Sequence, residues 1–182
     1  MRIIAGTCRG RRLKSPTWPG LRPTSDRLRE TLFDVLSDRV SGATVLDGFA
    51  GTGALGIEAI SRGAAHVTFA DSDPRALRLI ATNLALCGIE SGYAIIRSDL
   101  DLPGALPDAP LFDVILLDPP YSDRCQPGGR LERAGRWLAP GGVLVFEHGR
   151  RHPVPESATS LVRTRDLVAG DSALAFYRHR SP

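Results

Sequence analysis

The chain of 182 residues contains no apolar run that could cross a bilayer. Stretches such as Val114 to Leu117 and Val143 to Phe146 fall far short of the roughly 20 residues that a membrane helix needs. The opening Met1-Arg2-Ile3-Ile4-Ala5-Gly6 lacks the apolar core of a secretion signal, so a cytoplasmic protein is expected. Cysteine is scarce. Cys8, Cys87 and Cys125 are odd in number and widely spaced, which excludes a disulfide framework and leaves no pair at metal-ligand or redox spacing. Reduced thiols and no metal are expected. His66, His148, His152 and His179 stand apart from one another and read as strand-end or surface residues. No repeats or low-complexity tracts occur. Lysine is nearly absent, Lys14 standing alone beside 22 arginines.

The charge that is present is segregated. Residues 1–30 hold eight basic groups against two acidic ones, residues 31–120 hold five against twelve, and residues 121–182 hold ten against six. A basic N-terminal arm on an acidic middle fits a polyanion gripped at one end of the molecule.

Periodicity and breakers divide the chain near residues 40–43. Before that point, short strands at Arg2 to Ala5 and Arg12 to Lys14 precede a Pro-rich loop and a helix from Ser25 to Val40, with Leu28, Leu32, Val35 and Leu36 on one face. After it, strands and helices alternate. Strands are expected at residues 44–46, 66–70, 93–97, 113–117 and 143–146, and helices at 54–62, 74–87 and 130–138. Asp73 caps the second of these helices with Pro74 at its first position, and Gly88 ends it. Pro140-Gly141-Gly142 reads as a turn. Ser160 to Asp166 and Ala173 to Tyr177, joined by Ala169-Gly170-Asp171-Ser172 with no helix between them, read as a hairpin. The result is an α/β doubly wound sheet, mostly parallel, with one antiparallel strand at its end. Residues 1–42 form an appendage, and residues 43–182 the catalytic unit, which is expected to act as a monomer.

Two stretches carry chemistry. The first, Asp47-Gly48-Phe49-Ala50-Gly51-Thr52-Gly53-Ala54-Leu55-Gly56, links the first strand of the unit to its helix, where open α/β sheets bind ligands. Gly51, Gly53 and Gly56 satisfy GxGxxG, so a nicotinamide dinucleotide is one candidate ligand. Asp71 ends the next strand, twenty residues beyond Gly51, where a carboxylate holds a ribose diol in either case. Asp47 favours S-adenosylmethionine, because a carboxylate before the loop repels a pyrophosphate and suits a cationic amino-acid end.

The second stretch, Asp118-Pro119-Pro120-Tyr121, follows the fourth strand on the same edge of the sheet. An exocyclic amine on a purine is a weak nucleophile, its lone pair being delocalised into the ring. Catalysis needs acceptors aimed at its two N–H bonds. The Asp118 carboxylate and the Pro119 carbonyl can be those acceptors, the two prolines stiffen the peptide, and the Tyr121 ring can stack a flipped-out base. No separate general base is required.

With these residues the chain resembles the bacterial small-subunit rRNA guanine-N2 methyltransferases of the RsmD type, over nearly its whole length. Phe49 to Gly56 and Asp118 to Tyr121 are shared with amino-methyltransferases broadly. Narrower are Arg2-Ile3-Ile4-Ala5-Gly6 with Gly10-Arg11-Arg12-Leu13, Arg22-Pro23-Thr24-Ser25-Asp26-Arg27 with Arg29-Glu30, Ser61-Arg62-Gly63-Ala64, and Gly170-Asp171. The resemblance implies a class I, Rossmann-like methyltransferase with a seven-stranded sheet whose last strand is antiparallel, preceded by an N-terminal β-hairpin and helix that grip RNA. It implies N2 of a guanine in 16S rRNA, or in the assembled small subunit, as the target. By the same resemblance Asp47, Gly48, Phe49, Ala50, Gly51 and Gly53 line the methionine end of S-adenosylmethionine. Asp71 and Ser72 hold the ribose, Asp99 and Leu100 the adenine, and Asp118 to Tyr121 the guanine. Arg9, Arg11, Arg12, Lys14, Arg22, Thr24 and Arg27 meet the RNA.

The chain departs from that family in four places. Gly48 replaces a bulky apolar residue, Asp71 a glutamate and Ala169 an aromatic, and Ser122 to Arg130 is short and glycine-rich. Two rival readings remain, an N6-adenine DNA methyltransferase and a non-catalytic RNA-binding assembly factor; a protein-glutamine methyltransferase is disfavoured because that family carries Asn where Asp118 stands. Trp18 reads as packing against the domain rather than stacking on RNA, and Glu147 as closing the fifth strand.

Overall fold

Alternate residues of a strand face opposite sides of its sheet, and here both sides are covered. The computed structural model describes residues 1–18, 25–107, 111–120 and 126–180. Its strands are β1 (Thr44–Gly48), β2 (His66–Asp71), β3 (Tyr93–Arg97), β4 (Phe112–Leu117), β5 (Leu138–Gly149), β6 (Ser157–Ala158), β7 (Leu161–Ala169) and β8 (Ser172–His179). They form one sheet in the order β3-β2-β1-β4-β5-β8-β7-β6. The first five are parallel. β8 runs antiparallel to both β5 and β7, and β6 antiparallel to β7.

The helices are α1 (Asp26–Leu36), α2 (Ala54–Ser61), α3 (Pro74–Cys87) and α4 (Pro127–Trp137). Val45, Phe69, Val114, Leu116 and Val145 join residues of the first three helices in one core cluster. Leu46, Ala70, Ile115, Leu117 and Phe146 join α4 in a second cluster on the other face. This two-sided covering explains the unbroken apolar run in β4. Ile3, Cys8 and Leu13 of the N-terminal arm belong to the first cluster, so the arm shares the core of the unit that follows it. Among the described residues no helix is long and apolar enough to cross a membrane.

Among the described residues the sheet has eight strands where seven were expected. The extra one, β6, is two residues long and too short to show a hydrophobic period. It is set by a turn at Thr159, whose φ is 43°, and by the pair Ala158 with Leu161.

The N-terminal hairpin is also slighter than expected, a single bridge between Arg2 and Arg12. Three hydrogen bonds, Ile3 N–H to the Arg11 carbonyl, Gly10 N–H to that of Ile3 and Leu13 N–H to that of Met1, hold it, while other backbone groups of the arm are drawn to α2. The N–H groups of Ile4 and Ala5 donate to the Glu58 carboxylate at 2.8 and 3.0 Å, and those of Thr7 and Cys8 to Ser61 of α2. Gly6 permits this approach, since a Cβ there would overlap the Ser61 carbonyl.

α1 starts where predicted, with the Ser25 hydroxyl accepting from the Leu28 N–H at 3.2 Å. It ends at Leu36 rather than Val40, because Ser37 turns to positive φ and Ser37–Arg39 tightens to a 3₁₀ turn. α4 begins three residues early, Pro127 taking the first turn. β5 is longer than predicted. The turn at Pro140-Gly141-Gly142 is a bulge within it, Ala139 to Gly142 standing against the lone Asp113 of β4.

Candidate active site

The carboxyl ends of β1, β2, β4 and β5 and the β7–β8 turn surround a cavity of about 1090 Å³. Asp47, the fourth residue of β1, is fully buried on its floor. Its carboxylate accepts the Gly56 N–H in the first turn of α2 at 2.8 Å. Burial pushes this carboxyl up to about 8; the Gly56 N–H opposes the rise and the nearby charge of Asp71 adds to it. Only Gly fits at position 56, where a Cβ would stand 2.3 Å from the Phe69 ring and 2.9 Å from Asp47 Oδ2. Such a buried, energetically unfavourable carboxylate at a cavity wall suits a cationic ligand.

The loop after β1 turns through positive φ at Phe49, Gly51 and Gly53 (58°, 54° and 74°). For Phe49 this conformation costs about 1–3 kcal/mol. The ring it places lies 5.3 Å below the Arg130 guanidinium, which is forked onto Asp101 by two bonds of 2.7 Å. Gly53 caps α2 from the left-handed region. Gly48, the departure noted above, is explained by its neighbours. A Cβ there would meet Leu117 at 2.6 Å and Leu100 at 2.7 Å, so those two side chains already fill the space.

Asp71 ends β2 and braces the loop. One oxygen accepts the Gly51 N–H at 2.8 Å and the other the Asp73 N–H at 2.9 Å. Asp118, Pro119 and Pro120 follow β4 and line the same cavity. Pairing of Leu117 with Phe146 puts Glu147 of β5 beside Asp118, and it too lines the cavity, nearly buried.

The structure thus brings together Asp47, Phe49, Ala50, Gly51, Asp71, Ser72, Asp118, Pro119 and Pro120. Gly48 and Gly53 shape the loop from behind. Asp99 is exposed beyond the lining and accepts the Asp101 N–H at 3.0 Å, while Leu100 is buried beneath Gly48. Tyr121, Arg22 and Thr24 lie outside the described residues.

Arg9, Arg11, Arg12, Lys14 and Arg27 are exposed. The backbone of Lys14 is clasped by the Asn83 amide at 2.8 and 3.2 Å. Arg27 also bridges the main cavity and a second one of about 470 Å³, lined by Arg2, Arg9, Asp26 and Glu30 among others.

Several lining residues escaped the sequence reading: Met1, Ser25, Leu28 and Thr31 from the arm and α1, Arg75 on α3, and Leu167, Val168 and Ser172 flanking the hairpin turn, whereas the turn itself, Ala169 to Asp171, was expected near the target base by resemblance. Leu28 carried a helical period and was read as core alone. Arg75 and Trp18 carried no pattern that joined them. Chemically, the cavity offers the buried carboxyl of Asp47 and the half-buried Asp71 at the β1 and β2 ends, and a carboxylate beside a rigid carbonyl at the β4 end.

The family described as conserved hypothetical protein 95 matches residues 1–178. The ribosomal RNA small subunit methyltransferase D of Haemophilus influenzae is 39% identical over 88% of this chain and 86% of its own length. Its Escherichia coli K12 counterpart is 34% identical over 100% and 91%. The solved structure of the Escherichia coli protein yhhF, described as a methyltransferase, superposes with a TM-score of 0.85 at 31% identity, covering 100% of this chain and 99% of that one.

Proposed function

Because the chain belongs to the conserved hypothetical protein 95 family, that of the RsmD-type rRNA methyltransferases, we propose that it methylates the exocyclic N2 of a guanine in small-subunit rRNA, with S-adenosylmethionine as donor. The observation that carries this reading is a single cavity reached at one end by Asp47 and Asp71 and at the other by Asp118 and Pro119.

In this reading S-adenosylmethionine supplies a methyl group already activated on a sulfonium. The residues of the chain bind and orient. Asp47, ionised by pairing, takes the ammonium of the methionine end, and the backbone of Phe49 to Gly53 follows its chain. Asp71 and Ser72 serve the ribose. Asp118 accepts one N–H of the guanine amine and the Pro119 carbonyl accepts the other. Drawing both bonds out of the ring plane frees the nitrogen lone pair towards the methyl. Asp118 then stands ready for the proton that the alkylated nitrogen sheds. Positioning does most of the work. The arm's Arg9, Arg11, Arg12 and Lys14, with Arg27, hold the phosphates.

The test is transfer from labelled S-adenosylmethionine to undermethylated small subunits, naked rRNA and DNA side by side, followed by nucleoside mass spectrometry. N2-methylguanosine in a ribosomal sample is the expected product. N6-methyladenine in DNA would overturn both the base and the role of the arm, and no transfer to any sample would favour an assembly factor.

A further inference from the structure

Trp18 lines the cavity, and a continuous set of contacts leads from it to the glycine loop. Its ring lies 5.0 Å from the guanidinium of Arg75. Arg75 is forked onto Asp73 at 3.0 and 2.7 Å. The Asp73 N–H donates to Asp71 at 2.9 Å, and Asp71 accepts the Gly51 N–H at 2.8 Å. All five residues line the cavity.

We propose that Trp18 belongs to the methyl donor's binding site, its indole forming the wall against the adenosine end. This rests on Asp71 marking the ribose side, as read above. The alternative occupant, the flipped target base, enters at Asp118 to Pro120 on β4. In the order β2-β1-β4 the ends of β2 and β4 are two strand spacings apart, about 10 Å. A ring tied to Arg75, in the first turn of α3 just beyond β2, lies on the adenosine side. Arg75 holds one face of the indole by a cation–π contact and leaves the other for the purine, which stacks on any aromatic face.

The experiment titrates S-adenosylhomocysteine into the full chain and follows indole emission in a W137F background, which leaves Trp18 as the sole tryptophan. Calorimetry of W18A and W18F accompanies it. Trp18 emission is expected to change on binding, W18A to bind about tenfold or more weakly, and W18F to stay within about threefold of the parent. The thermal midpoint of ligand-free W18A should match the parent, separating lost stacking from a damaged fold. W18A binding as tightly as the parent overturns the proposal. So does a W18A variant that keeps its ligand affinity and loses rRNA affinity, which would assign the ring to RNA. If the unaltered chain binds neither S-adenosylhomocysteine nor S-adenosylmethionine, the donor assignment itself falls.

Discussion

Replacing Asp47 by Asn removes an ionisable group from a fully buried position while keeping an oxygen that can accept the Gly56 N–H. In the folded chain burial pushes the Asp47 carboxyl from 3.8 up to about 8. Between those values the native state holds a proton that the unfolded state has released. The stability that the neutral carboxyl provides is complete below about pH 4 and drains away as pH rises towards 8. At about 1.4 kcal/mol per pK unit the ceiling is roughly 6 kcal/mol. Relaxation and water penetration reduce the effective penalty of a buried charge to a few kcal/mol. We therefore expect Asp47→Asn to stabilise the ligand-free protein by about 2 kcal/mol at pH 8, raising its melting temperature by about 4–8 °C, and by nearly nothing at pH 4. In the proposed function the same change also removes the partner of the donor's ammonium. A hydrogen bond to a charged group contributes about 1.5–3 kcal/mol, so S-adenosylhomocysteine should bind about ten- to hundred-fold more weakly. Thermal melts across pH 4–9, with and without ligand, read both effects. Equal melting shifts at pH 4 and pH 8 would show that Asp47 is not held neutral in the free protein and would sink the argument.

Asp118→Ala should lower turnover by about 10²–10³, the range for deleting one preorganised polar contact in a reacting centre, while calorimetry finds donor affinity unchanged; near-normal turnover would remove Asp118 from the mechanism. Gly56→Ala adds a Cβ 2.3 Å from the Phe69 ring and should cost about 1–3 kcal/mol, seen as a lower urea midpoint; no change would mean the ring and α2 part easily. Replacing Arg9 and Arg12 together by Ala should shallow the salt dependence of rRNA binding by about 1.4 in log–log slope, 0.7 for each lost phosphate contact on single strands, and an unaltered slope would place the RNA elsewhere.

The parts of the site legible in the sequence are those whose chemistry is local to the chain. Asp47 to Gly56 begins at the end of β1 and Asp118 to Pro120 directly follows β4, so recognising each strand placed its loop on the correct edge. Asp71 followed by the same logic from the end of β2. The sheet's parallel core was legible because Val45, Leu46, Ile115 and Leu116 alternate between two apolar clusters. β6 was not, since two residues carry no period. The length of β5 was not either, because a bulge at Gly141 and Gly142 reads locally as a turn.

What stayed hidden depends on polar residues that act across long separations, for which helical or strand period gives no signal. Glu58 falls in mid-helix, where a carboxylate ordinarily faces water. Here it is fully buried. It receives the backbone of Ile4 and Ala5 and a side-chain bond from Arg62 at 2.8 Å, compensation that a buried carboxylate requires. Asn83 does the same on α3, bonding Lys14 on one side and the Thr52 carbonyl of the glycine loop, at 2.9 Å, on the other. The arm is thus joined to α2 by buried Glu58 and to the glycine loop by buried Asn83, as well as by the contacts through Trp18 and Arg75. An arm held only by its apolar Ile3 and Leu13 could slide. Hydrogen bonds to Glu58 and Asn83 are directional, and they fix where the backbone beside Arg9 to Lys14 must lie relative to the loop at Gly51. In the function proposed above, that register would decide which phosphate, and hence which nucleotide, reaches Asp118.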